Sequence, residues 1–132
     1  MKAFAIAYVA ALVAFLALDS VWLTVMGQAL YRPVMGDMLL DGFRPIPALL
    51  FYVIYLAAVV YFGVRPGVTQ TLGTTAFNAA LFGFAAYATY DLTNQATLKN
   101  WSTTLTVADL LWGSFVTTVG ACAGRFAVDR FT

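Results

Sequence analysis

Two aspartates stand inside long apolar runs, and each is followed three residues later by a tryptophan: Asp19-Ser20-Val21-Trp22 and Asp109-Leu110-Leu111-Trp112. A third, Asp91, closes another apolar run. Two carboxyl groups sharing an apolar setting can divide acid and base roles, share a proton, or hold a cation between them. A residue three positions on lies about 300° around a helix, so each tryptophan falls near the face of its aspartate. An indole N–H needs a partner when buried, and a carboxylate is one. The plainer alternative makes Trp22 an interfacial anchor and Trp112 lipid-facing packing.

Other side chains extend the cluster. Tyr87, Tyr90, Asp91 and Asn94 fall on one helical face if the helix runs past Tyr90. Arg32, Arg44 and Lys99 supply positive charge on the same side, and ion pairing alone would also account for the group. Each of the three is a candidate partner of the aspartates. The candidate ligand-binding set is therefore Asp19, Trp22, Arg32, Tyr87, Tyr90, Asp91, Asn94, Lys99, Asp109 and Trp112.

What this cluster is not follows from what the chain lacks. The sequence has no histidine and no glutamate, and its one cysteine is Cys122. That leaves no zinc-type ligand set and no intrachain disulfide, so neither metal nor cofactor is expected. Seven basic residues against six acidic ones give a net charge of +1, without the basic face that a nucleic-acid partner requires. No nucleophile–base pair or phosphate-binding loop is visible.

The elements that must position these residues belong to a membrane. Of 132 residues, 62% are hydrophobic and 10% charged, with a mean hydropathy of +0.84. A chain this small cannot hide so much apolar surface from water. A bilayer core of about 30 Å needs about 20 mostly apolar helical residues, and residues 3–26, 46–64, 72–90 and 102–124 each qualify. Gly27-Gln28 and Arg32-Pro33 close the first span, Arg44-Pro45-Ile46-Pro47 opens the second, and Arg65-Pro66-Gly67 ends it. The expected fold is a single all-α domain, residues 1–132: a bundle of four antiparallel transmembrane helices with both termini on one side. The first run resembles a secretory signal, but its apolar stretch reaches Met26, so it reads as a retained helix. Lys2, Arg65, Arg125 and Arg130 on the terminal side outnumber Arg32, Arg44 and Lys99 opposite, which leans that side toward the cytoplasm. The segment from Gly27 to Pro45, with Asp37, Asp41 and several apolar residues, has the spacing of a short interfacial helix, and an ordinary loop fits it too; Tyr31 and Phe43 would lie near the headgroups.

Depth links the two aspartates. Asp19 lies about seven residues before the end of its span and Asp109 about seven after the start of its own, which places both roughly 10 Å inside the same membrane face. Buried charge in a span costs roughly 2.5–3.5 kcal/mol, so both should face the interior, within roughly 10 Å of one another and with a basic head group or water beside them. Thr106, Asp109, Gly113, Thr117, Gly120 and Gly124 form a stripe for close helix contact, inside the bundle or as a homodimer seam through Gly113, Gly120 and Gly124. Ala3, Ala7, Ala10, Ala14 and Ala17 give a second stripe nearly opposite Asp19. The second span has no such stripe, so Ala57 and Val59 are expected to meet lipid.

The run Tyr90-Asp91-Leu92-Thr93-Asn94-Gln95-Ala96-Thr97-Leu98-Lys99-Asn100-Trp101, with the Asp19–Trp22 pair, Tyr31-Arg32 and Asp109-Leu110-Leu111-Trp112-Gly113, resembles a family of small bacterial four-helix inner-membrane proteins, domain of unknown function two-one-seven-seven. The resemblance covers essentially the whole chain. It implies a multi-pass protein of the bacterial inner membrane with no established activity, and genes beside enzymes that modify fatty acyl chains, an association that proves no chemistry. Three functions fit. The first is a protein binding a lipid or a small polar or cationic ligand in a pocket in the outer half of the bundle. The second is a membrane-embedded enzyme or accessory protein of lipid modification, with Asp19 and Asp109 as acid and base. The third is an accessory subunit in which the cluster only holds the bundle together.

Overall fold

The computed structural model describes residues 2–40, 42–65 and 71–132. Asp41 of the first connection and Pro66-Gly67 at the end of the second apolar run lie outside the described residues. The structure is all-helical. Helix α1 (Lys2–Met26) continues through a wide π turn (Gly27–Tyr31) into the short α2 (Arg32–Met35) and a 3₁₀ turn (Gly36–Met38). Helix α3 (Pro45–Val59) ends in a second π turn (Val60–Val64). Helices α4 (Leu72–Thr97) and α5 (Thr103–Phe131) follow.

The chain does not leave the first helix at Gly27-Gln28. It widens there instead, with the Arg32 N–H bonded to the Gly27 carbonyl five residues back. Pro33 explains the widening. It has no N–H, and in a regular α-helix its ring would collide with the carbonyl of Ala29, so an inserted π turn relieves the crowding. The true stop is Gly36, which sits at φ 52°, a backbone region costly for any residue with a Cβ. The connection from Gly27 onward is therefore a prolongation of α1.

Helices α4 and α5 start on side-chain caps: Thr71 accepts from the Thr74 N–H and Ser102 from the Leu105 N–H. Both outrun the expected ends at Tyr90 and Gly124, reaching Thr97 and Phe131. In α4 the hydroxyls of Thr89, Thr93 and Thr97 bond to carbonyls one turn back, which settles these polar side chains within the helix itself. In α5 the Arg125–Asp129 pair spans the added turn at 3.0 Å.

Close packing follows the glycines. A Cβ on Gly83 would strike the Gly113 carbonyl and the Thr117 side chain, and one on Gly113 would overlap the Tyr87 ring. Gly120 faces Ala11 and Phe15, and Gly124 faces Ala7. The six-residue stripe from Thr106 to Gly124 is buried throughout, and its glycines are filled by α1 and α4 of the same chain. Gly113, Gly120 and Gly124 thus act as packing positions within the chain. The alanine stripe is corrected. Ala3 and Ala17 are exposed, and the face of α1 that packs is Ala7, Ala11, Phe15 and Asp19 at strict four-residue steps. It lies on the side of Asp19, because the glycines of α5 leave room there for Ala7, Ala11 and Phe15. Val59 is likewise buried, with Leu56, Val60 and Val64, while Ile46, Leu49 and Ile54 cover the exposed face of α3.

Exposed apolar side chains ring the molecule, among them Val13, Ile54, Phe77, Leu111 and Phe126. Among the described residues three helical stretches are long and apolar enough to cross a membrane: Lys2–Met38, Pro45–Val64 and Thr103–Phe131. Helix α4, with Thr74, Thr75, Asn78, Asp91 and Asn94 along it, is less apolar than these.

Candidate functional site

Asp19 and Asp109 are both buried and are joined crosswise. Asp19 Oδ1 accepts a hydrogen bond from Trp112 Nε1 at 3.2 Å, and its Oδ2 accepts one from the Tyr52 hydroxyl. Asp109 Oδ1 accepts from the Tyr31 hydroxyl, which in turn accepts from Trp22 Nε1 at 2.8 Å. Each tryptophan thus serves the other helix's aspartate, Trp22 doing so through Tyr31. Between the two arms the indoles lie face to face, with ring centroids 4.5 Å apart and planes 8° from parallel. The sequence spacing put each tryptophan beside its own aspartate. The closeness of α1 and α5 makes the neighbour across the interface the nearer one.

Asp91 stands behind this arrangement. It is fully buried, among the described residues neither carboxyl oxygen has a hydrogen-bond partner, and the Asp109 carboxyl stands beside it. Two carboxyl groups in such contact are held together by a shared hydrogen and are held apart without one.

A cavity of about 640 Å³ opens in front of Asp19 and Asp109. Helix α1 contributes Asp19, Trp22 and Leu23; its π turn contributes Gly27, Gln28 and Tyr31; and α2 contributes Arg32 and Met35. Leu39, Leu40 and Gly42 close one side. Phe51, Tyr52 and Tyr55 come from α3, Ala86, Tyr87 and Tyr90 from α4, and Asp109 and Trp112 from α5. The rings brace one another: Phe51 stacks on Tyr55 at 5.2 Å, and Tyr87 meets Tyr55 edge-on at 6.4 Å. The Tyr55 hydroxyl is anchored on Thr117 Oγ1 at 2.8 Å. The cavity size falls in the range of small-molecule sites, and the mix of apolar walls with few convergent polar groups is their usual chemistry.

Of the ten candidate residues, seven line this cavity: Asp19, Trp22, Arg32, Tyr87, Tyr90, Asp109 and Trp112. Asp91 is behind the wall rather than on it. Asn94 lies a turn beyond and does not reach the cavity. Lys99 belongs to a separate hollow of about 240 Å³ with Val34, Met38 and Trp101. The expected basic partner is absent: among the described residues the ion pair formed is Arg125–Asp129, and no lysine or arginine pairs with Asp19, Asp91 or Asp109. Arg44 is exposed at the start of α3 and Arg32 keeps to the cavity wall, so the carboxylates are served by neutral phenol and indole donors. Among the described residues no three potential ligands converge on a metal-sized centre either.

Sequence reasoning missed Tyr31, Tyr52 and Tyr55. Tyr31 lies five residues beyond the expected end of the first span at Met26, which places it near the headgroups in the sequence and inside the bundle in the structure. Tyr52 and Tyr55 carried a usable signal: phenols in the middle of an apolar run, away from its ends, need an internal partner.

The chain belongs to the family described as Predicted membrane protein (DUF2177), whose model matches residues 4–126. The family is one of membrane proteins of unknown function, and the match takes in every residue of the cavity. No curated protein and no solved structure matches the chain.

Proposed function

We propose that this protein is a four-span protein of the bacterial inner membrane that binds a lipid or a small polar or cationic ligand in the cavity between its helices. The observation that carries the reading is the cavity itself, in which Asp19 and Asp109 stand among aromatic walls and, among the described residues, accept hydrogen bonds from neutral donors only. A carboxylate buried without a cation is costly, and a ligand supplying positive charge relieves that cost.

The contact order supports antiparallel spans. Along α1 and α5, Ala7 meets Gly124, Ala11 meets Gly120 and Asp19 meets Trp112. Along α4 and α5, Thr75 meets Arg125, Gly83 meets Thr117 and Gln95 meets Thr103. The 26 residues of α4 extend about 39 Å at about 1.5 Å each, enough to cross, and its Thr75 and Asp91 are turned fully inward. The excess of basic residues on the terminal side favours cytoplasmic termini and an outward-facing cavity.

Native mass spectrometry of gently extracted protein tests the binding. A small molecule should travel with the wild type and be lost from the Asp19→Asn/Asp109→Asn double variant. Bare protein in both samples would sink the reading.

A further inference from the structure

The cavity carries charge of both signs, unpaired. Arg32 lines it without a hydrogen-bonding or ion-pairing partner among the described residues, and Asp19 and Asp109 line it without a basic one. Behind Asp109, Asp91 adds a further carboxyl with no donor among the described residues. The other titratable groups facing this cluster are phenols: Tyr31 from the π turn, Tyr52 and Tyr55 from α3, and Tyr87 and Tyr90 from α4. None of them supplies a cation.

These charges restrict the occupant. A simple cation would satisfy the acids and be repelled by Arg32. A simple anion would satisfy Arg32 and be repelled by two aspartates. A molecule carrying both signs satisfies all of them. An ammonium is also held by the faces of surrounding rings, and a guanidinium grips a phosphate through two parallel hydrogen bonds. The apolar residues Leu23, Leu40 and Phe51 line the cavity and are themselves exposed, an apolar rim suited to acyl chains.

Building on the cavity as a binding site, we propose that its occupant is a zwitterionic aminophosphate headgroup, with the phosphate on Arg32 and the protonated amine against Asp109 and Asp19. An aminophospholipid of the surrounding bilayer is the source that its apolar opening fits.

Purified protein in maltoside micelles, followed by the fluorescence of its stacked tryptophans, tests this. Four probes suffice: dihexanoylphosphatidylethanolamine, dihexanoylphosphatidylglycerol, octylamine and free phosphoethanolamine. The zwitterionic lipid should bind at least about tenfold tighter than the anionic lipid or the amine, the loss set by one charge-assisted contact. Arg32→Gln, at a side chain without a partner among the described residues, should weaken the zwitterionic lipid about tenfold and, by removing the repulsion, leave octylamine bound at least as tightly as before. Asp109→Asn should weaken both. Free phosphoethanolamine binding as tightly as the lipid would keep the zwitterion and overturn the lipid as its source. Equal affinities for lipid and amine probes, or an Arg32→Gln variant that binds the zwitterionic lipid normally, would overturn the zwitterion and leave the binding cavity standing. No saturable signal from any probe would overturn the cavity reading itself.

Discussion

Replacing Tyr31 by Phe removes one oxygen and cuts the crosswise link at its centre. That hydroxyl donates to Asp109 and accepts from Trp22, so two hydrogen bonds vanish and the ring remains. In membrane helices a side-chain hydrogen bond is worth about 0.6 kcal/mol on average and about 1.7 kcal/mol at most, because the separated helices find other partners. The Trp22 bond is neutral and belongs near the lower figure. The Asp109 bond is to a buried carboxylate and belongs near the upper one. The expected cost is about 2 kcal/mol, roughly a 30-fold change in the unfolding equilibrium. Reversible unfolding in mixed micelles reads it, with Tyr61→Phe as reference, since Tyr61 is half-exposed and stacks under Arg65. Adding Trp22→Phe should cost less on the Tyr31→Phe background than alone, because the indole N–H has already lost its acceptor. If Tyr31→Phe and Tyr61→Phe unfold within about 0.5 kcal/mol of each other and the double variant is additive, Tyr31 does not hold Asp109.

The remaining expectations are independent of that bond. Gly83→Ala and Gly113→Ala should each cost about 1–3 kcal/mol by forcing Thr117 or Tyr87 aside, whereas Gly27→Ala, whose added Cβ meets open space, should be neutral or slightly stabilising; equal losses in thermal unfolding would refute the packing. Asp91→Asn should raise stability by about 1 kcal/mol, since an amide N–H then faces Asp109 in place of a second acid, and a stability loss in the same unfolding assay would show that Asp91 has a donor after all. A fluorescent reporter fused after Thr132 should be active in the cytoplasm, and a cysteine at Gln28 should react with an impermeant maleimide from the opposite side; the reverse pattern would invert the orientation.

Depth arithmetic was enough to bring Asp19 and Asp109 to one level, because helical rise depends on nothing but residue count; it did not foresee that Trp22 and Trp112 stack. The inward turn of Thr106, Gly113 and Thr117 was legible for a similar reason, the constancy of helical pitch. Partner choice was not legible. Which indole meets which carboxylate depends on how closely α1 and α5 approach, and that is decided by Ala7, Ala11, Gly120 and Gly124 acting together. The alanine stripe misled because exposed alanines in an apolar run look the same as packed ones. Tyr31 was lost to a single backbone irregularity: the π turn ahead of Pro33 carries it round to Asp109, and no propensity scale registers an extra residue in one turn. The ends of α4 and α5 extended further than hydropathy suggested, since hydroxyls bonded within the helix and the Arg125–Asp129 pair sustain it beyond the apolar core.

The crosswise pairing also sets a timetable for biogenesis. Asp19 enters the membrane with the first helix, but Tyr52 is 33 residues later in the chain and Trp112 is 93 residues later. At about 5–20 residues per second of synthesis, the first donor follows after roughly 2–7 s and the second after roughly 5–20 s. A nascent hairpin of α1 and α3 therefore already shelters one oxygen of Asp19, while the other waits for the last helix to be threaded. Asp109 has the opposite history: Tyr31 and Trp22 are in place before it is made. The final helix thus docks onto a prepared receptor, and the earliest-made and latest-made parts of the protein are the ones that complete each other.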